Sequence, residues 1–162
     1  MSERLPVSTE MAVFLRQGLS ITLATRDGAN LPSLLRVIGC RVEADGDLTV
    51  FFPGERAGEM LANVADNGLV AGVFSNMKSH ETLQIKGRGA HRVDVIDDDF
   101  DLITRYGELF VAALKSIGHG HPGIKRIIAF DPAKLVALRF QPTAVFIQTP
   151  GPQAGAVLAE SP

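Results

Sequence analysis

The sequence contains a single cysteine, Cys40, so no intrachain disulfide can form. That excludes a small disulfide-stapled secreted domain and fits a reducing compartment. A lone cysteine is either a reactive thiol or a small buried hydrophobe. Cys40 is read as the second, because free cysteine is among the most buried residue types. No apolar run approaches the ~20 residues needed to span a bilayer. The opening MSERLPVSTE mixes charges of both signs and lacks the apolar segment of a signal peptide. Neither sign of charge dominates: 16 Lys and Arg stand against 18 Asp and Glu, a formal net charge of −2. With no basic stripe, a dedicated nucleic-acid binder is disfavoured. The expectation is a cytoplasmic protein with no membrane and no nucleic-acid partner.

Chemical signatures are missing too. The sequence has no GxSxG nucleophile elbow, P-loop, zinc-type Cys/His cluster or GxGxxG fingerprint. Covalent hydrolysis and nucleoside-triphosphate chemistry therefore have no support in the sequence.

What is present is the composition of a globular chain. Its 162 residues are 46% hydrophobic and 21% charged, enough for one domain that needs neither metal nor disulfide. We expect that domain over residues 1–150, with an irregular Gly/Ala/Pro-rich tail at 151–162. Ser8 and Thr9 cap a short helix over 9–17, and Gly18 ends it, as glycine does by adopting a left-handed conformation. Strands follow at 20–25, 31–38, 40–44 and 48–52. Asp27-Gly28 and Asp45-Gly46 are the hairpin turns, which call for positive φ. Helical spacing at Ala57, Met60, Leu61 and Val64 predicts a helix over 55–65. The apolar run 69–75 reads as a buried strand. Residues 80–93 alternate, with Leu83, Ile85 and Gly87 on one face and Gln84, Lys86 and Arg88 on the other. A long helix runs to about Ser116, and two strands, 134–140 and 144–148, flank Gln141-Pro142. Short strands, tight turns and isolated helices indicate an antiparallel barrel with helices outside.

Several residues invite a chemical reading. Asp97-Asp98-Asp99 could hold a cation, but at a helix N-terminus three carboxylates complement the dipole. His119 and His121, two apart in a Gly-rich loop, do not make a metal site without ligands elsewhere; solvation and the lining of a cofactor pocket are the other readings. Arg36, Arg41 and Arg56 lie near strand and helix ends. If they converge on one mouth of the barrel, they form an anion site, because guanidinium groups and free helix N–H groups favour the same phosphate.

The segments ITLATRDGANLPS, DLTVFFPG, GEMLANVADNGLVAGVFS and HETLQIKGRGAHRV, in that order, resemble the core of the pyridoxamine 5′-phosphate oxidase-like FMN-binding family. The resemblance implies a six-stranded antiparallel split β-barrel, mainly β with peripheral helices. It also implies a homodimer with FMN at its interface. Arg36 falls near a position where the family uses an arginine for the phosphate, Thr82 where a glutamine often meets the flavin, and Gln84 where an arginine commonly sits. Ser75 and His80 flank the same strand pair. The family's phosphate motif at the second helix is replaced here by Gly58-Glu59-Met60. A carboxylate there repels phosphate, although Arg56 could reach across and Gly58 could admit close backbone N–H groups. The implied function is an FMN-dependent oxidoreductase of unknown substrate, with no counterpart of the residues that grip a pyridoxine-type substrate. The alternative is a binding module of the same fold holding haem, another flavin or no cofactor, with His80, His91, His119 and His121 as candidate haem ligands.

Overall fold

A computed structural model describes Leu5 and residues 7–161. The leader-peptide reading rests largely on the first residues and lies in part outside the described residues. The order is α1 (Thr9–Leu15), β1 (Ser20–Arg26), β2 (Pro32–Val37), β3 (Gly39–Val42), β4 (Leu48–Pro53), α2 (Gly58–Asn67), β5 (Val70–Ser75), β6 (Thr82–Val93), α3 (Asp97–Ser116), β7 (Leu135–Ile147) and β8 (Val157–Glu160). Every strand pair is antiparallel, in the path β2-β1-β5-β6-β7-β4-β3, with β8 added to β7.

The two ends of that path are one piece of chain. β2 runs into β3 through Ile38, whose N–H donates to the Phe51 carbonyl at 2.8 Å. The segment thus pairs with β1 at one end and β4 at the other, and the sheet curls into a barrel. Counting β2 and β3 as one bent strand gives the six strands of the expected split barrel, with β8 outside the count. The inward face carries the fully buried Leu19, Ile21, Leu23, Phe52, Phe74, Ile85, Leu138 and Phe140. On β6, Leu83, Ile85 and Gly87 point inward and Gln84, Lys86 and Arg88 outward, as the alternation predicts. Among the described residues no helix is long and apolar enough to cross a membrane.

Three local expectations are corrected. The helix α1 is capped by Ser8, whose Oγ accepts from Met11 N–H at 3.1 Å, but Gly18 does not end it through a left-handed conformation. Gly18 is required because α3 passes across it. A Cβ there would lie 2.3 Å from the Leu109 carbonyl carbon and 2.4 Å from Phe110 N. In the first hairpin the positive φ falls on Asn30 (64°), not Gly28, while Asp27 Oδ1 accepts from Ala29 and Leu31 N–H. Finally, β7 continues through Gln141-Pro142. Proline has no N–H for the ladder and survives where pairing is irregular. Pro142 sits opposite Gly87 at a register shift, where a Cβ on Gly87 would meet Phe140 Cδ2 at 2.2 Å.

The tail, read as irregular, turns back instead, and Val157–Glu160 pairs with Ala144–Phe146 as an edge strand. Its composition hid this because the strand is largely exposed and carries no buried alternation.

Cys40 is buried, as its residue type suggests. Loss of solvent pushes its thiol from 9.0 up to about 12, and the Glu43 carboxylate adds to the rise. The neutral thiol is therefore favoured in the folded chain. This contribution to stability is complete below pH ~9 and is lost as pH rises through the window from about 9 to 12. At pH 8 a thiol reagent should leave the native chain unmodified and react with one thiol per chain once it is unfolded. Fast labelling of the native protein would contradict the buried position.

Candidate functional site

Arg36 and Arg56 do converge. Arg36 points outward from β2, donates to Ser20 Oγ at 3.3 Å, and lies 5.7 Å from the Phe110 ring centre. Arg56 stands in a 3-10 turn, Gly54–Arg56, immediately before α2. Both line a pocket of about 450 Å³ together with a third arginine, Arg126. Arg126 lies in the 3-10 turn Pro122–Arg126 after α3. Among the described residues, no carboxylate pairs with any of the three. The single acid of the pocket, Glu55, has Lys134 Nζ 3.7 Å away. Three guanidinium groups without counter-ions in one concavity favour a multivalent anion.

Arg41 does not join them. It is held by Glu43 at 3.0 Å and by the buried Asp99. Asp99 also accepts from Ile96 N–H at 3.0 Å, so one carboxylate caps α3 and anchors Arg41. This is the dipole-complementing role of the acidic run. Among the described residues no cluster of three or more His, Cys, Asp and Glu forms.

At α2, the first turn has no side-chain cap, and Gly58 and Glu59 are exposed. A Cβ at Gly58 would meet nothing within 4 Å. There is room for an anion beside the free N–H groups, with the Glu59 carboxylate in the same turn opposing it.

Ser75, Thr82 and Gln84 form a second group. Thr82 Oγ1 lies 3.0 Å from Ser75 Oγ, and Thr82 N–H donates to Thr149 Oγ1 at 3.0 Å. The Gln84 amide is half-buried and has no hydrogen-bond partner among the described residues. The register connects the two groups. Arg36 is opposite Thr22, Thr22 opposite Val73, and Val73 opposite Gln84, so one row of outward side chains crosses four strands. Three strand spacings separate Arg36 from Gln84 by roughly 14 Å. The floor between is small: Thr22, Ala24, Ala71 and Val73 are all half-buried. The site thus has a cationic end, a shallow floor and a hydroxyl–amide end.

All four histidines are exposed, and none lines the arginine pocket. His80 lies in the β5–β6 turn with a φ of 63°. His91 Nδ1 is 2.8 Å from the Gly89 carbonyl, and His121 Nδ1 accepts from Gly123 N–H at 3.0 Å. Arg126 is the residue that sequence reasoning missed. It sits in an apolar stretch with no clear period after a Gly-rich loop, and only the return of that loop to the barrel brings it beside Arg36.

No family model and no curated protein matches the sequence. Solved structures do match the fold. HupZ from Group A Streptococcus superposes with a TM-score of 0.55 at 17% identity, covering 93% of this chain and all of that one. A pyridoxamine 5′-phosphate oxidase-related, FMN-binding protein from Nostoc punctiforme gives 0.52 at 16%, covering 97% and 96%. HutZ, the haem storage protein of Vibrio cholerae, gives 0.50 at 15%, covering 87% and 94%. In its fold, this protein is a split β-barrel of the kind seen in pyridoxamine 5′-phosphate oxidase-related proteins.

Proposed function

We propose that the chain binds FMN, with the phosphate in the pocket of Arg36, Arg56 and Arg126 and the ring system lying along the outward row toward Gln84. The observation that carries this reading is the set of three arginines in one pocket, without counter-ions among the described residues. A dianionic phosphate satisfies them as no neutral ligand does. The small floor of Thr22 and Val73 leaves space for a flat ring. The Gln84 amide can donate to or accept from its heteroatoms, and the Ser75 and Thr82 hydroxyls supply further partners. Gly58 leaves the α2 N–H groups open to a phosphate oxygen. When bound, the flavin supplies electron and hydride transfer, and the protein's part is to bind, orient and tune it. We read the chain as an oxidoreductase-like homodimer, with the cofactor between the outward faces of two copies. Leu34, 58% exposed on that face, suits cover by a partner.

The test is the visible absorption spectrum of the purified protein before and after addition of FMN. Saturable perturbation of the two flavin bands supports the reading. A sharp Soret band in the protein as purified would transfer the site to haem, which the fold relative HutZ is described as storing. No uptake of either would mean a lost phosphate site. A monomer by light scattering at micromolar concentration would remove the interface from the proposal.

Glu59 gives a prediction of opposite sign. Its carboxylate shares the first turn of α2 with Gly58, so Glu59→Lys exchanges repulsion for attraction and should tighten FMN binding by about tenfold. It should also cost about 0.5 kcal/mol of stability, because a cation is unfavourable at a helix N-terminus. Flavin titration of the variant checks the first effect, and unchanged affinity would place the phosphate away from α2.

A further inference from the structure

A second cavity lies on the other side of the segment that carries Arg126. It has a volume of about 560 Å³ and is formed between α3 and residues 125–130. Its walls are predominantly apolar, with Val111, Ile128 and Phe130 prominent. Gly107 sets its depth, since Ile128 Cδ1 would be 2.9 Å from a Cβ there. The polar groups are Lys115 from the last turn of α3, Lys125, Glu108 and Thr104. Neither lysine has an acidic partner among the described residues. Glu108 is seven residues, two turns or ~10 Å, before Lys115 along the helix, so the charge is graded along the cavity.

We propose that this cavity binds an aliphatic monocarboxylate, with the tail against Val111, Ile128 and Phe130 and the carboxylate at Lys115 and Lys125. Cavity volume and lining match a small-molecule site, in which an apolar interior carries a few orienting polar groups. The charge commits the ligand to an anion at the lysine end, and the length of the apolar wall commits it to a tail. The inference does not rest on the flavin reading: residues 125–130 present Arg126 to one pocket and Lys125, Ile128 and Phe130 to the other.

The experiment is calorimetric titration of the full chain with sodium decanoate, octanoate and decan-1-ol. Decanoate should bind saturably and on the order of tenfold more tightly than octanoate, from burial of two further methylenes. Decan-1-ol should be about fivefold weaker than decanoate, and the Lys115→Gln/Lys125→Gln variant should erase that difference, as expected for exposed ion pairs. Ala112, exposed on α3 at the rim, supplies a filling variant that need not disturb the core. Ala112→Phe should abolish binding of both ligands with the circular-dichroism spectrum unchanged. Arg126→Gln should leave decanoate binding intact while weakening FMN, which separates failure of this site from failure of the flavin site. The proposal is overturned by absence of decanoate binding at millimolar concentration to folded protein, or by binding that survives Ala112→Phe. It is equally overturned if Ala112→Phe splits a dimer in light scattering, since a second copy would then occupy the groove.

Discussion

The Arg36→Gln/Arg56→Gln double variant is expected to bind FMN on the order of 100-fold more weakly than the parent while its affinity for riboflavin stays the same. Each guanidinium–phosphate contact is a charge-assisted hydrogen bond worth about 1.5–3 kcal/mol. Two such contacts account for at least the ~2.7 kcal/mol that corresponds to a hundredfold change. Arg56 has no partner among the described residues, and Arg36 has only the Ser20 hydroxyl at 3.3 Å and the Phe110 ring. Neither is engaged in holding the fold, so the loss should appear in binding and not in melting temperature. Riboflavin lacks the phosphate and isolates the ring site around Gln84. Equal losses for both ligands would point to a disturbed sheet face, and an unchanged FMN affinity would exclude the pocket as the phosphate site.

Gly18→Ala should lower the melting temperature by about 10 °C, followed by circular dichroism. The added methyl would sit 2.3 Å from the carbonyl carbon of Leu109 and 2.4 Å from Phe110 N. Both are backbone atoms of α3, which cannot rotate aside as a side chain would. Overpacking of this kind costs roughly 1–3 kcal/mol, and contact with backbone puts Gly18 at the upper end. Each kcal/mol shifts the midpoint by about 2–4 °C in a chain of this size. Gly28→Ala is the matched control: a Cβ there meets nothing within 4 Å, and its φ is not positive. An undisturbed melt for Gly18→Ala would mean that α3 does not lie across the β1 entry as described.

The elements with strong local periodicity were legible. The alternation of β6, the apolar run of β5 and the span of α3 follow from side-chain spacing, because a half-buried strand and an amphipathic helix each impose a period on their own residues. The buried Cys40 was legible for a similar reason, being a property of residue type. β8 and the passage of β7 through Pro142 were not, since both depend on what lies opposite. An exposed edge strand needs no apolar pattern, and Pro142 is tolerated because Gly87 faces it at a register shift.

The candidate site divides along the same line. The sequence by itself determined the inventory: basic residues at strand and helix ends, a helix start at Gly58-Glu59-Met60 where a phosphate motif would stand, and polar residues on one face of β6. It also determined that an antiparallel sheet of alternating strands would carry them. Tertiary structure alone decided which of these meet. Arg41 and Arg36 are five residues apart, yet Arg41 is committed to Glu43 and Asp99 while Arg36 joins Arg56 and Arg126. Arg126 is ninety residues from Arg36 and reaches it only because the chain after α3 folds back beside the barrel. Ion pairing and pocket formation depend on distances between segments remote in sequence, and those distances are set by closure of the sheet through Ile38 and by the seat of α3 against Gly18.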